Sequence, residues 1–257
     1  MAEIHLGTSG YVYKHWKGLF YPADLPTRRW LPWYARFFST VELNATFYRL
    51  PAPHTVDAWR DAVPPDFRFA CKGSRFLTHM KRLSNVDEGL EHYYARVLRL
   101  GRKLGPILWQ LPPNMTKPAP ERLERFLALQ PRGVQQVVEF RHHAWYHAEV
   151  LDVLRRHHAA LCEHDLLDVP PPGPEPTGRF RYLRFHGASS RFAGRYGRAA
   201  LKPVARDLRE WRAGHRTAWV FFNNDLHGHA LLDAFELAAL LNVPVHAPPG
   251  IEAPGSA

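Results

Sequence analysis

Charged and amide side chains recur, two residues apart, inside several short apolar runs of the sequence. Glu42 and Asn44 interrupt one such run, and Glu139 and Arg141 end another. His186 closes a third. Carboxylates and imidazoles in partly buried positions can be tuned to take up or release protons near neutral pH. The sequence therefore predicts acid/base chemistry, and the candidate catalytic residues are Glu139, Glu42 and His186.

Cationic side chains follow the same spacing. Arg141, Arg184 and Lys72 could hold an anion, since guanidinium and ammonium groups match phosphate and carboxylate. Aromatic rings in adjoining loops could stack on a base or a sugar. No GxSxG nucleophile motif accompanies them, so a covalent mechanism is not expected. The predicted substrate-binding residues are Thr8, Ser9, Tyr11, Trp16, Asn44, Thr46, Tyr48, Lys72, Gln110, Arg141, Trp145, Arg184, Arg191 and Asn223.

The elements that must position these residues alternate along the chain. Apolar or β-branched runs typical of strands cover 4–9, 40–45, 67–73, 106–112, 135–140, 159–165, 180–187 and 217–224. Helical spacing follows at 27–38, 54–63, 85–104, 120–130, 146–157, 198–213 and 229–241. After the sixth strand, 168–178 is too rich in proline for a helix, so a loop is expected in its place.

This alternation predicts one α/β domain. Strand–helix alternation implies parallel strands, and eight of them at this length favour a (β/α)8, TIM-type barrel. An open sheet that binds dinucleotides should carry GxGxxG after its first strand, where this chain reads GTSGYVYKHW. We expect a single domain over 1–241, followed by a Pro/Gly-rich mobile tail, 242–257.

Barrel strands alternate inward and outward, and active sites gather at their C-terminal ends. Parity then predicts an inward tier of polar groups: Glu42, Asn44, Lys72, Gln110, Glu139, Arg141, Glu163, Asp165, Arg184 and His186. In the eighth strand either Asn223 or Asn224 must face inward. The tier favours a ligand site at the barrel mouth, because buried ion pairs stabilise less than apolar packing. A self-satisfied salt-bridge network is the alternative.

The segment after the seventh strand, 186–198, combines glycines and serines with Arg191 and Arg195. Phosphate sites of TIM barrels are often built by the loops after strands seven and eight. The segment is therefore either an oxyanion site or a flexible basic loop.

Composition narrows the class of protein further. The 257 residues carry a formal net charge of +10, and only seven of the 34 basic residues are lysine. An anionic small molecule or a nucleic acid is the expected partner, unless the arginines only reflect genome composition. No stretch approaches the roughly 20 apolar residues of a membrane span. The N-terminus lacks signal-peptide character, so a cytoplasmic protein without a membrane partner is expected. The sequence does not indicate an oligomeric state.

Seven motifs together carry a family resemblance: GTSGYVYKHWKGLFYP, VELNATFYRLP, FACKGSRFLTH, LGPILWQLPP, VEFRHHAW, YLRFHG and FFNND. In this order, from Gly7 to about Leu241, they resemble the YecE-like family, known as domain of unknown function 72. The resemblance implies a TIM-type barrel and supplies no function. Barrels of this kind are also similar in shape to the xylose-isomerase and endonuclease IV group, an analogy of fold alone.

Three hypotheses follow. The preferred one is an enzyme acting on a phosphate ester or a nucleic-acid component. The second is a non-enzymatic nucleic-acid-binding barrel. The third is a metal-dependent sugar isomerase, which the positive charges of Arg141, Arg184 and Lys72 disfavour, since they oppose a dication. No cofactor and no metal ligand are therefore predicted, and a divalent metal remains the less favoured alternative.

Overall fold

The computed structural model describes residues 3–166, 176–188 and 192–243. It contains eight β-strands: β1 (Ile4–Thr8), β2 (Thr40–Leu43), β3 (Arg68–Lys72), β4 (Leu104–Gln110), β5 (Gln136–Glu139), β6 (Ala160–His164), β7 (Phe180–Phe185) and β8 (Thr217–Phe222). Their order in the sheet is β1-β8-β7-β6-β5-β4-β3-β2. Parallel strands in this order, alternating with helices, are those of a (β/α)8, TIM-type barrel, so the predicted fold class is confirmed.

Eight α-helices are described: α1 (Trp30–Tyr34), α2 (Ala45–Tyr48), α3 (Pro53–Asp61), α4 (Asp87–Val97), α5 (Pro120–Ala128), α6 (Ala148–Arg156), α7 (Gly197–Ala213) and α8 (His229–Leu241). Seven of them correspond to predicted helices. Helix α2 was not predicted, because the run 40–45 has the composition of a strand as far as Ala45, where α2 begins. The proline-rich segment expected after β6 lies mostly outside the described residues, as does the tail beyond Val243.

The described residues divide into two compact units. The first comprises Met1–Glu42, Ala62–Phe67 and Leu183–Ala257, so far as these ranges are described. Strands β1 and β8 pair in parallel there, with Thr8 opposite Phe222. A bridge between Ser9 and Glu42 joins the ends of β1 and β2. Both pairings place the carboxyl ends of three strands side by side.

Glycine at position 7 permits a close approach in this unit. A Cβ at Gly7 would lie 2.3 Å from the main-chain oxygen of Thr40. Any side chain would therefore force β1 away from the start of β2. The hydroxyl of Tyr34 donates to the same Thr40 oxygen, at 3.1 Å.

The second unit comprises Leu43–Asp61 and Arg68–Tyr182. Strands β3, β4, β5 and β6 pair in parallel in sequence order. Gly73 lies against Trp109, whose ring occupies the space that a Cβ would need. Cys71 and Cys162 are buried thiols, and each packs as a small hydrophobic side chain. Among the described residues no helix is long and apolar enough to cross a bilayer.

Candidate functional site

In the first unit, Glu42 of β2 and Arg184 of β7 form a buried ion pair. Nη2 of Arg184 lies 2.7 Å from Oε1 of Glu42. The two side chains are 0% and 1% exposed. Burial at this level leaves neither group open to bulk water.

His186 adjoins this pair. Its Nε2 lies 3.5 Å from Nη1 of Arg184, and its Nδ1 lies 3.1 Å from the side-chain nitrogen of Asn223. Asn224 points elsewhere, donating to the carboxylate of Asp233 at 2.8 Å. Asn223 is therefore the asparagine that accompanies the predicted catalytic histidine. His186 itself is fully buried.

In the second unit, three consecutive strands end on polar residues. Lys72, Gln110 and Glu139 are the last residues of β3, β4 and β5. Gln110 and Glu139 are register partners. Arg141 forms an ion pair with Glu139, and its Nη2 donates to Oε1 of Gln110 at 3.3 Å. These residues lie close together because the carboxyl ends of parallel strands meet at one edge of a sheet.

Positive charge concentrates around His79 of the same unit. Its ring lies in a single π-helical turn, Phe76–Met80, and meets Phe47 edge-on at 5.1 Å. The ammonium of Lys72 sits 4.3 Å from the centre of the Phe47 ring. The pKa of His79 is lowered to about 4, first by burial and then by the charges of Lys72, Arg75 and Arg141. We call Lys72, Arg75, His79 and Arg141 the His79 cluster.

Several predicted binding residues hold the fold instead. Thr8 binds Gly10 and Tyr34 through its hydroxyl, and Thr46 donates to the main-chain oxygen of Lys72 at 2.6 Å. Two tryptophans that were expected to stack on a ligand, Trp16 and Trp145, are buried and packed on protein rings. Such rings leave no face for a ligand in this structure.

The remaining predicted residues differ in how far they are exposed to solvent. Ser9 is buried, Tyr11 and Asn44 are half-buried, and Tyr48 is 75% exposed. Asn44 follows β2 in helical conformation, one residue beyond the strand. Arg191 lies outside the described residues.

Two further acids of the expected tier belong to the end of β6. Glu163 pairs with Arg181, at 2.5 Å. Asp165 follows the end of β6 and is exposed.

Acidic side chains of α8 form hydrogen bonds and ion pairs with the basic segment 186–198 that follows β7. Asp233, fully buried, accepts from the main-chain N–H of Tyr196 and of Gly197, each at 3.0 Å. Arg195 lies 3.6 Å from Asp233, and Arg198 lies 2.8 Å from Glu236. A carboxylate of the chain thus lies at the start of α7, within the segment for which an oxyanion site was one of two alternatives. In its described part, the segment supports the alternative of a basic loop.

Sequence reasoning missed a second polar group of the first unit. His15 follows β1, and Asp225 follows β8. Nε2 of His15 lies 2.8 Å from Oδ2 of Asp225, and the indole N–H of Trp16 donates to Oδ1 at 2.7 Å. Burial raises the pKa of Asp225 to about 6, while the bonds from Trp16 and His15 act against that rise.

Tyr13 lies beside this group. Burial, and then the nearby carboxylates of Asp225 and Glu42, raise the pKa of Tyr13. Tyr13, His15 and Asp225 lie outside the strands, where no periodicity of the sequence indicates which side chains come together. Only their position shortly after the ends of β1 and β8 could have suggested them.

The part of the chain that the structure describes contains no set of side chains arranged to bind a metal ion. No group of three or more histidine, cysteine, aspartate or glutamate side chains is placed there to hold an ion. The isomerase alternative therefore gains no supporting observation from these residues.

Fold and strand-end chemistry together define an α/β-barrel protein with polar residues at the carboxyl ends of its strands. The comparison with family models gives the family: residues 5–255 match the protein of unknown function DUF72. The chain belongs to this family.

Named relatives agree with that assignment. The UPF0759 protein YunF of Bacillus subtilis is 24% identical over 87% of this chain and 90% of its own length. The UPF0759 protein YecE of Escherichia coli is 34% identical, in a match that spans 42% of this chain and only 40% of YecE. A solved DUF72 family protein from Thermotoga maritima is 29% identical, with a TM-score of 0.83 over 93% of this chain and 99% of that one. None of these names carries an activity.

Proposed function

We propose that the chain is an enzyme that acts on an anionic substrate, either a phosphate ester or a component of nucleic acid. The observation that carries the proposal is the His79 cluster. Burial, and then three neighbouring cations, lower the pKa of its half-buried imidazole, so positive charge is concentrated on one side chain. A bound anion would offset that charge.

Lys72 and Arg141 are the anion ligands in this proposal, and Gln110 orients Arg141. A flat guanidinium can bind two oxygens of a phosphate at once, whereas an ammonium acts as a point charge. The ammonium of Lys72 contacts the ring of Phe47, so the ammonium is already positioned before a substrate binds. Phosphate and Glu139 would then compete for the same guanidinium.

That competition suggests the acid/base step. When the anion takes Arg141, the carboxylate of Glu139 is relieved of its ion-pair partner and is placed to accept a proton from water or from a hydroxyl group of the substrate. Glu42 does not share this role in the proposal. Its buried pair assigns it to positioning Arg184.

Titration with inorganic phosphate in a calorimeter tests the binding part. We expect R141Q and K72Q each to weaken phosphate binding about tenfold or more, the loss typical of one hydrogen bond to a charged group. R195Q is the matched control, because Arg195 already faces Asp233 and Glu236. Equal affinity in R141Q, K72Q and the wild type would remove the proposal.

Nucleic-acid binding without turnover is the second candidate, and one observation favours it. Tyr48 is 75% exposed and adjoins Phe47, at 5.0 Å between ring centres. The ammonium of Lys72 lies on the other ring, Phe47, and an exposed ring near a cation suits a stacked base and its phosphate. E139Q separates the two candidates: it abolishes turnover by an enzyme, but leaves salt-sensitive binding of a nucleic acid intact or stronger.

A further inference from the structure

The loops after β1 and β8 meet because these strands pair in parallel, with Thr8 opposite Phe222. A short 3-10 turn, Lys14–Trp16, presents His15 on one side. Asp225 stands on the other side, three residues after β8 ends. Two strand ends therefore bring one imidazole and one carboxylate together.

The geometry fixes which imidazole nitrogen carries the proton. The N–H of Nε2 points at the main-chain oxygen of Asp225, at 3.0 Å, with Oδ2 of the same residue 2.8 Å away to one side. A carbonyl oxygen only accepts, so Nε2 must donate. In neutral His15, Nδ1 then holds the lone pair, and no described residue forms a hydrogen bond with it.

Asp225 is fixed independently of His15. The indole of Trp16, which is fully buried, donates to Oδ1 of Asp225. The carboxylate side chain is 10% exposed, while the imidazole is 45% exposed. A buried, anchored acid thus lies next to an imidazole whose other face is open to solvent.

The backbone after Asp225 is also unusual. His227 and Gly228 both adopt left-handed conformations, with φ of 62° and 77°. A Cβ at Gly228 would lie 2.5 Å from Leu19. Left-handed non-glycine residues are uncommon and collect at functional sites.

We propose that His15 and Asp225 form an acid/base dyad that cleaves an ester with water. This inference does not rest on the anion site of the His79 cluster. A buried aspartate that orients a histidine and stabilises its charged form is the arrangement known from hydrolytic triads.

The step balances without a further reactant. Nδ1 takes a proton from water as the water oxygen bonds to the carbon or phosphorus of the ester. Asp225 stabilises the resulting imidazolium. Nδ1 then returns the proton to the departing alcohol oxygen as its bond to carbon or phosphorus breaks. One ester and one water give one acid and one alcohol.

Hydrolysis of p-nitrophenyl acetate and p-nitrophenyl phosphate tests the dyad, and the two probes distinguish a carboxylic from a phosphoric ester. We expect the wild type to cleave one of them and H15Q to be about 100-fold slower, the scale of a lost general base. H54Q removes an exposed histidine of α3 and should match the wild type. A wild type that cleaves neither probe, or an H15Q variant as fast as the wild type, overturns the proposal.

D225N supplies a second readout that does not depend on turnover. Trp16 keeps the amide oxygen at the Oδ1 position, so the amide N–H faces Nε2–H of His15 and disfavours that tautomer. Modification by diethyl pyrocarbonate, followed residue by residue with mass spectrometry, should slow about tenfold at His15 in D225N and stay unchanged at His54. Unchanged modification of His15 in a folded D225N protein contradicts the dyad.

Discussion

The carboxylate of Glu42 and the guanidinium of Arg184 lie 2.7 Å apart, and both side chains are buried. The pair explains how a strand of the first unit tolerates an acid in its middle. The attraction between the two charges offsets the hydration energy that each one loses on burial. Glu42 is therefore a positioning residue for Arg184 in this account, and the acid/base role stays with Glu139.

Breaking this pair should be costly. E42Q leaves the charge of Arg184 buried without its carboxylate partner, so we expect the free energy of unfolding to fall by about 3 kcal/mol. Urea denaturation measures it. The double variant E42Q/R184M removes both charges and should recover most of the loss. A double variant less stable than E42Q would contradict this account of the pair.

The pKa of Asp225 predicts a pH dependence of stability. Its folded value of about 6 lies above the ordinary 3.8, so the folded state binds this proton more tightly than the unfolded state. The resulting stabilisation is complete below about pH 4 and is lost as pH rises through 6.

D225N lacks this titration. Relative to the wild type, D225N should therefore gain stability between pH 4 and pH 7, by at most about 3 kcal/mol, at 1.36 kcal/mol per pKa unit. Urea denaturation at several pH values gives the difference. Parallel curves for the two proteins would show that Asp225 does not titrate in this range.

Asp233 should matter for the start of α7. D233A removes the acceptor of two main-chain N–H groups and of Asn224. We expect a loss of about 2 kcal/mol or more in the free energy of unfolding, since buried donors left without an acceptor are destabilising. D24A, at an exposed aspartate of the same unit, is the control. Equal stability of the two variants would contradict the capping role.

The strands and most helices could be predicted because burial imposes a period on the sequence. Lys72, Gln110 and Glu139 were found the same way, as polar residues that end apolar runs. The alternation of residues along a strand predicts which face a side chain lies on, but not which side chain it contacts. The pairing of Glu42 with Arg184 could therefore not be predicted. Asp233 and Glu236 did carry a signal, since they are the acids of an otherwise apolar helix. His15 and Asp225 belong to loops, where the local sequence does not determine which side chains meet.

The effect of the neighbouring cations on the pKa of His79 can be measured without a ligand. K72Q removes one of the three cations that lower the pKa of His79, so this pKa should rise from about 4. NMR titration of the imidazole Cε1–H measures it. K103Q, which removes a lysine outside the His79 cluster, should leave the value unchanged. An unshifted pKa in K72Q would place Lys72 outside the electrostatics of this site.

The same titration in the presence of inorganic phosphate shows whether the His79 cluster binds an anion. A phosphate held by Lys72 and Arg141 adds negative charge next to the imidazole and stabilises its protonated form. The account predicts that saturating phosphate raises the pKa of His79 in the wild type and not in R141Q. A His79 pKa that stays at about 4 in the wild type, with and without phosphate, would contradict an anion site at the His79 cluster.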